Sequence, residues 1–232
     1  MDRYKNLIVI GTSHISKESV SEVRNTINKE KPEVVALELD KCRLQGLLEG
    51  KKTELGFHEI KILGVNGWLF AKLGEYAERK LGQSVGVKPG TEMLEGFKVA
   101  KENNCRIALI DKDIRITLKK ISENFTWKEK FNVVLDIIKN IFSKKRRIKF
   151  DLNKVPEKEL IKNLLDLAKK NYPNLYRVLV TDRNKFMARK LITLMQEHSV
   201  LAVVGAGHEK GLIEEIKKLE KSEFVANHAA LL

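Results

Sequence analysis

Apolar positions along this chain fall into short unbroken runs and stripes spaced three and four apart. Those are the signatures of buried parallel strands and of helices laid on them. Leu7-Ile8-Val9-Ile10 is the first run. Val20, Val23 and Ile27 form the first stripe, in a helix predicted from Lys17 to Lys29 with Ser16 placed to cap it and Glu18 in its first turn. Pro32 ends that helix, and Val34-Val35-Ala36-Leu37-Glu38-Leu39-Asp40 reads as a second buried strand. A short crossover of this kind is expected to be right-handed and to set the two strands side by side.

From Thr53 to Lys88 the pattern is less regular, with a helix predicted around Trp68–Lys80. Thr91 is placed to cap a helix over Glu92–Asn103, and Arg106–Ile110 forms a third strand leading into Asp111-Lys112-Asp113. Helices are predicted at about 114–123, 127–142, 156–170 and 174–197. A strand at 200–204, a helix at 209–220 and a short last strand at Glu223–Ala226 close the chain. The fold class read from this order is α/β over residues 1–232. A mostly parallel central sheet carries helices on both faces, with a helical insertion at about 114–198 between the third and fourth main strands.

Composition narrows the class. At 232 residues, 43% apolar and 32% charged, the chain suits one soluble globular domain. No apolar run approaches the ~18–20 residues needed to span a bilayer. Met1-Asp2-Arg3-Tyr4-Lys5-Asn6 passes straight into a strand, so no secretory signal is expected. Cys42 and Cys105 share no metal or redox spacing and read as reduced structural thiols, in keeping with a cytoplasmic setting. The net charge of +13 is unevenly spread: residues 114–150 hold eleven Lys/Arg against three Asp/Glu and end in the basic run 144–149. That run reads first as a solvated face, next as a contact for an anionic membrane surface, and least as a nucleic-acid site.

Two copies of one phrase carry the chemistry. The first strand runs into Gly11-Thr12-Ser13-His14, and the strand at 200–204 runs into Gly205-Ala206-Gly207-His208. Ligands of open α/β sheets bind beyond the carboxyl ends of the strands. His14 and His208 are therefore placed where chemistry occurs, and they suggest one site assembled from distant segments. Glu38 interrupts an otherwise apolar strand, and a buried carboxylate there is costly without a compensating cation. Histidines with carboxylates match divalent cations such as manganese, cobalt or zinc. Glu92, in the first turn of its helix, is explained on its own residues by the helix macrodipole. Asp111, Asp113 and Arg115 follow the third strand, and Arg183 lies in Thr181-Asp182-Arg183-Asn184; either cluster also reads as a surface ion-pair network. His58, His198 and His228 lack such a context. Neither GTSH nor GAGHEKG has the spacing of a phosphate loop.

Six motifs in order resemble one family: GTSHIS at 11–16, VALELDKCR at 35–43, KPGTEM at 88–93, LIDKDIRITLKK at 109–120, TDRNKFMA at 181–188 and VVGAGHEKG at 203–211. Together they resemble the TraB/PrgY, or pheromone-shutdown, family, which has many archaeal members and is grouped with the TIKI metalloproteases and, more distantly, the erythromycin esterase and ChaN-like proteins. The resemblance covers nearly the whole chain. It implies an α/β fold and a site of two GxxH histidines and two glutamates, carried here by His14, Glu38, Glu92 and His208. For Glu92 it replaces the macrodipole explanation. Arg115 follows the family's Asp-x-Asp-Ile segment, and Arg183 matches the arginine of a motif usually read Glu-Arg-Asp-x-x-Met. Position 182 is Asp rather than Glu here, and 184 is Asn rather than Asp. Family members continue into C-terminal membrane helices, whereas this sequence ends at Leu232 without one.

The expectation that follows is a metal-dependent hydrolase acting on peptides or small signalling molecules. His14, His208 and Glu38 would hold manganese or cobalt, with zinc next, and Glu92 would be the general base, although the glutamates can exchange roles. Arg115 or Arg183 would stabilise an oxyanion or anchor a substrate carboxylate. The alternatives are a module that sequesters a peptide without turnover and a metal-free histidine esterase. A cytoplasmic location, or the cytoplasmic face of a membrane, and self-association into a homo-oligomer complete the reading.

Overall fold

A computed structural model describes residues 1–12, 17–50, 90–124, 126, 128–129 and 158–229. Two short strands begin the chain, β1 (Asp2–Tyr4) and β2 (Leu7–Thr12), followed by α1 (Lys17–Glu30), β3 (Val34–Leu37) and α2 (Lys41–Glu49). After them come α3 (Thr91–Glu102), β4 (Arg106–Leu109), α4 (Ile114–Asn124) and α5 (Lys158–Asn171). A composite helix follows: α6 (Pro173–Tyr176), a π-helical segment (Arg177–Thr181) and α7 (Asp182–Met195). Then come β5 (Val200–Gly205) and α8 (Glu209–Ala229).

The five strands form one sheet in the order β1-β2-β5-β3-β4, parallel except for the β1–β2 pair. Successive side chains of each strand go to opposite faces. Val200, Ala202 and Val204 of β5 join Leu7, Val9, Val34 and Ala36 against Met187 and Leu191 of α7 and Leu212 and Ile216 of α8. Leu201 and Val203 join Ile10, Val35 and Leu37 on the other face, against Val23 and Ile27 of α1 and Met93 and Val99 of α3. Coverage on both faces explains why these strands are written as unbroken apolar runs.

The expected neighbours β2 and β3 are not adjacent: the last strand, β5, lies between them and pairs with both. All six residues of β5 are buried, so it is the strand that gains most from a central place. The last strand expected at Glu223–Ala226 is instead part of α8, which runs unbroken to Ala229. Nothing after Lys221 breaks a helix, and Glu, Val and Ala leave the choice between helix and strand to packing. β1 was not foreseen, because three residues are too few for a period-two pattern. Gly90 rather than Thr91 is the cap residue of α3, with φ of 84°, and a Cβ there would approach Leu47 Cδ2 to 2.9 Å.

His14, Ser16, His58, the helix expected around Trp68–Lys80 and the basic run 144–149 lie outside the described residues. Among the described residues no helix is long and apolar enough to cross a membrane.

Candidate functional site

The carboxyl edge of the sheet is where Gly11 and Thr12 meet the start of the second GxxH phrase. β2 and β5 are parallel neighbours in the register Gly11↔Val204 and Thr12↔Gly205. The Ala206 N–H donates to Thr12 O at 2.9 Å, and the Thr12 hydroxyl donates to Val204 O at 3.2 Å. A Cβ on Gly11 would stand 2.7 Å from Glu209 Oε2 and 3.1 Å from Ala206 Cα, so the close approach of the end of β2 to the turn after β5 requires glycine there. Segments from opposite ends of the chain thus build one edge.

Glu38 follows β3 directly. Its N–H still pairs with Val203 O at 3.0 Å, which turns the side chain inward, and the residue is only 4% exposed. Its Oε2 accepts the Gly205 N–H at 2.6 Å, and its Oε1 accepts from Arg183 Nη2 and lies 3.4 Å from His208 Nε2. The strand ends at Leu37, one residue before Glu38, yet the carboxylate is enclosed rather than solvated.

Arg183 is the hub. Its Nε and Nη2 donate to the two oxygens of Asp111 at 3.1 and 2.6 Å, a bidentate fork. Its Nη1 donates to Leu179 O at 3.3 Å and faces His208 Nε2 at 3.1 Å. The π segment runs directly into α7 and ends at Thr181, two residues before Arg183; such segments recur at functional sites. Burial alone would lower the Arg183 pKa, but the charge of Glu38 and the Asp111 fork outweigh it and raise it above the ordinary guanidinium range. Burial would likewise raise Asp111, but the hydrogen bond and charge of Arg183, with Arg43 behind it, hold that carboxyl below its usual range.

The tautomer of His208 follows from its partners. A guanidinium can only donate, so Nε2 accepts from Arg183 and carries no proton. The proton therefore sits on Nδ1, which donates to Asn184 Oδ1 at 2.6 Å. His208 is 7% exposed and Asn184 6%. The result is a neutral imidazole fixed from behind, with the Nε2 lone pair accepting from Arg183 beside Glu38, the arrangement of a ligating histidine with its supporting hydrogen bond. Asn184 takes the place where the family motif has aspartate, and it keeps the acceptor oxygen that the histidine needs.

Gly211 makes room for this contact: a Cβ there would stand 2.6 Å from Asn184 Nδ2. Gly211→Ala is expected to cost about 1–3 kcal/mol by overpacking. It should also release His208 from a single tautomer, seen as averaged imidazole signals in 15N NMR; an unchanged tautomer would contradict the assignment.

A second tier extends outward. Asp40 caps α2 by accepting the Arg43 N–H at 3.0 Å and receives the Ile114 N–H of α4 at 3.3 Å. Arg43 bonds Asp40 Oδ2 at 2.7 Å and reaches Asp111 Oδ2. Three carboxylates (Glu38, Asp40, Asp111) thus face two guanidinium groups (Arg43, Arg183), with one negative charge in excess. Two helix N-termini offset part of it at Asp40.

Of the expected site residues, Glu38, Arg183 and His208 are brought together. Glu92 is the second residue of α3, which packs on β3, and at 1% exposure it is enclosed too. Arg115 goes elsewhere: it is exposed, holds Asp113 through Nη2 at 2.5 Å, and lies 3.9 Å from the Cys42 sulfur. His14 lies outside the described residues. Sequence reasoning left Asp111 as one of two readings and gave Arg43 no role; the polar phrase after each strand end was the available signal. Among the described residues no three His, Cys, Asp or Glu side chains group as metal ligands. Glu38 Oε1 and His208 Nε2 nonetheless converge as one carboxylate and one lone-pair-bearing imidazole, a donor pair that fits a borderline divalent cation.

The chain matches the TraB/PrgY/gumN family over residues 2–227. It is 33% identical to an uncharacterized protein of Methanocaldococcus jannaschii over 95% of this chain and 55% of that protein. It is 26% identical to a TraB domain-containing protein of Bos taurus over 88% of this chain and 60% of that protein, and 25% identical to its Homo sapiens namesake over 88% and 61%. The chain therefore spans between half and two thirds of the length of these relatives.

Proposed function

We propose, from the premise that this chain belongs to the TraB/PrgY/gumN family, that the strand-edge site hydrolyses a peptide or a small signalling molecule with a divalent cation. The observation that carries this reading is the convergence of Glu38 Oε1 and His208 Nε2 at 3.4 Å, with His208 fixed from behind by Asn184. The excess negative charge of the surrounding network supports a cationic occupant. His208 and Glu38 would hold the ion, with His14 and Glu92 completing the set that the family motifs indicate. Manganese or cobalt, with zinc next, would supply a Lewis acid that polarises a carbonyl and makes water more acidic. Glu92 takes the proton of the attacking water as general base. Arg183, anchored by Asp111, would turn the donors it now gives to Glu38 and His208 toward the oxyanion that forms on the carbonyl. Asn184 keeps the His208 lone pair available throughout.

One observation favours a second reading. The Arg183 guanidinium already touches both Glu38 and His208, so the pair can be closed by the protein's own cation. A site kept in that state would hold a peptide without cleaving it. Incubating manganese-loaded protein with a defined peptide mixture separates the two by mass spectrometry. Cleavage that chelator abolishes and His208→Ala lacks is the expected result. Peptides bound and recovered intact would favour the sequestering module, and cleavage persisting in chelator would favour a metal-free esterase.

A further inference from the structure

Beside the Arg183 hub, on the outer side of α7, lies a second concavity of different character. It has a volume of about 200 Å³ and is lined by Lys112, Lys120, Asp182, Lys185, Phe186 and Arg189. Asp182, Lys185, Phe186 and Arg189 recur along one face of α7, Lys120 faces them from α4, and Lys112 comes from the loop after β4. Four cations thus surround one carboxylate, and Lys120, at 3.4 Å from Asp182, already uses that carboxylate.

Among the described residues Lys112, Lys185 and Arg189 have no carboxylate within ion-pair distance, so three positive charges stand in excess around one cavity. Lys112 is only half-buried, yet burial and the neighbouring Lys120 charge push its ammonium below the ordinary lysine range. The Phe186 ring gives the crowded ammonium groups a face to rest on, with Lys112 Nζ at 5.3 Å and Lys190 Nζ at 4.7 Å from its centroid. Lys190 is directed away to the Leu109 carbonyl at 2.8 Å, which leaves the cavity to the other cations. Positive side chains held close together in a concave, partly desolvated place are stabilised by an anion that bonds several at once.

We propose that this cavity binds a phosphate group, carried by a soluble phosphate ester or by a lipid headgroup. A dianion with several acceptor oxygens answers three surplus cations, and the planar Arg189 fork suits two of those oxygens. A monocarboxylate would leave most of the charge unanswered. The site is distinct from the Glu38–His208 pair and does not depend on hydrolysis there.

The test uses the full chain and inorganic phosphate by isothermal titration at low salt, with Lys112→Gln/Arg189→Gln as the variant and Lys218→Gln/Lys221→Gln, both exposed on α8, as the charge-matched control. Circular dichroism and the thermal midpoint check that each variant is folded. Saturable one-to-one binding, weakened about tenfold or more in the double variant and unchanged in the control, is expected. Absence of saturation up to about 10 mM phosphate, or equal weakening by the control, overturns the proposal. A second arm uses phosphatidylcholine vesicles with and without phosphatidic acid. Sedimentation with the phosphatidic acid vesicles that the double variant loses identifies a lipid source. Phosphate binding without vesicle binding identifies a soluble ester.

Discussion

Arg183→Met is expected to destabilise the fold by about 3–5 kcal/mol, because it strands charge that the native protein keeps paired out of water. Arg183 is the partner shared by Glu38 and Asp111, both nearly inaccessible. Methionine fills part of the space and supplies no donor. For a domain of this size the loss corresponds to a fall in thermal midpoint of about 6–20 °C. The effect has a pH signature. Asp111 lies below its ordinary value of 3.8 in the folded protein, so the stability it contributes is fully present above that value and is lost as pH falls through the folded pKa. The gap between the native protein and the variant should therefore be widest at neutral pH and narrow as pH falls below about 4. Urea denaturation at pH 7 and in that acid range measures both quantities. A loss under about 1 kcal/mol, or a gap that ignores pH, would show that Arg183 is not the hub. Arg183→Lys should recover only part of the loss, since an ammonium cannot reproduce the two-pronged contact with Asp111.

Glu38→Gln separates chemistry from folding. The glutamine oxygen can keep the Gly205 N–H, now held at 2.6 Å, so the loop between β5 and α8 retains its anchor. The amide nitrogen then faces the Arg183 donors, a mismatch that should cost about 1–3 kcal/mol. Asp111 still holds the guanidinium. What disappears is the anionic donor beside His208. Outer residues that only support metal ligands cost about 10–100-fold when replaced, so a ligand itself should cost at least about a hundredfold in cation affinity and turnover. Equilibrium dialysis with manganese and the peptide-cleavage assay provide the readouts. A folded Glu38→Gln protein with undiminished affinity and turnover would remove Glu38 from the ligand set.

Much of the fold was legible because both faces of the sheet are covered. Apolar runs marked β2, β3, β4 and β5, and stripes marked α1, α3 and α8 as far as about residue 220. Strand order was not legible: a run such as Leu201-Ala202-Val203-Val204 shows that a strand is buried but does not name its neighbours. The π segment left no sign either, since Arg177–Thr181 has the side chains of an ordinary helix. At the site, Glu38 and His208 stood out as polar residues at apolar strand ends. Arg183 stood there with a surface ion-pair network as its rival reading until the family resemblance, because its partners lie far away in sequence. Asn184 looked like a departure from the motif; its oxygen on His208 Nδ1 shows that the position needs an acceptor rather than a charge. Arg115 and Arg183 appeared equivalent in the sequence, and their neighbours separate them: Asp113 two residues away captures Arg115, whereas Arg183 faces the sheet.

The central claim is that Glu38 and His208 are two ligands of one divalent cation. It is tested most directly by anomalous diffraction from crystals of the full chain grown with manganese, cobalt or zinc. The account expects an anomalous peak at about 2.0–2.2 Å from both His208 Nε2 and a Glu38 oxygen, with Arg183 withdrawn onto Asp111. Crystals that show no peak between those atoms with any of the three ions, and Arg183 still seated on Glu38 and His208, would contradict it.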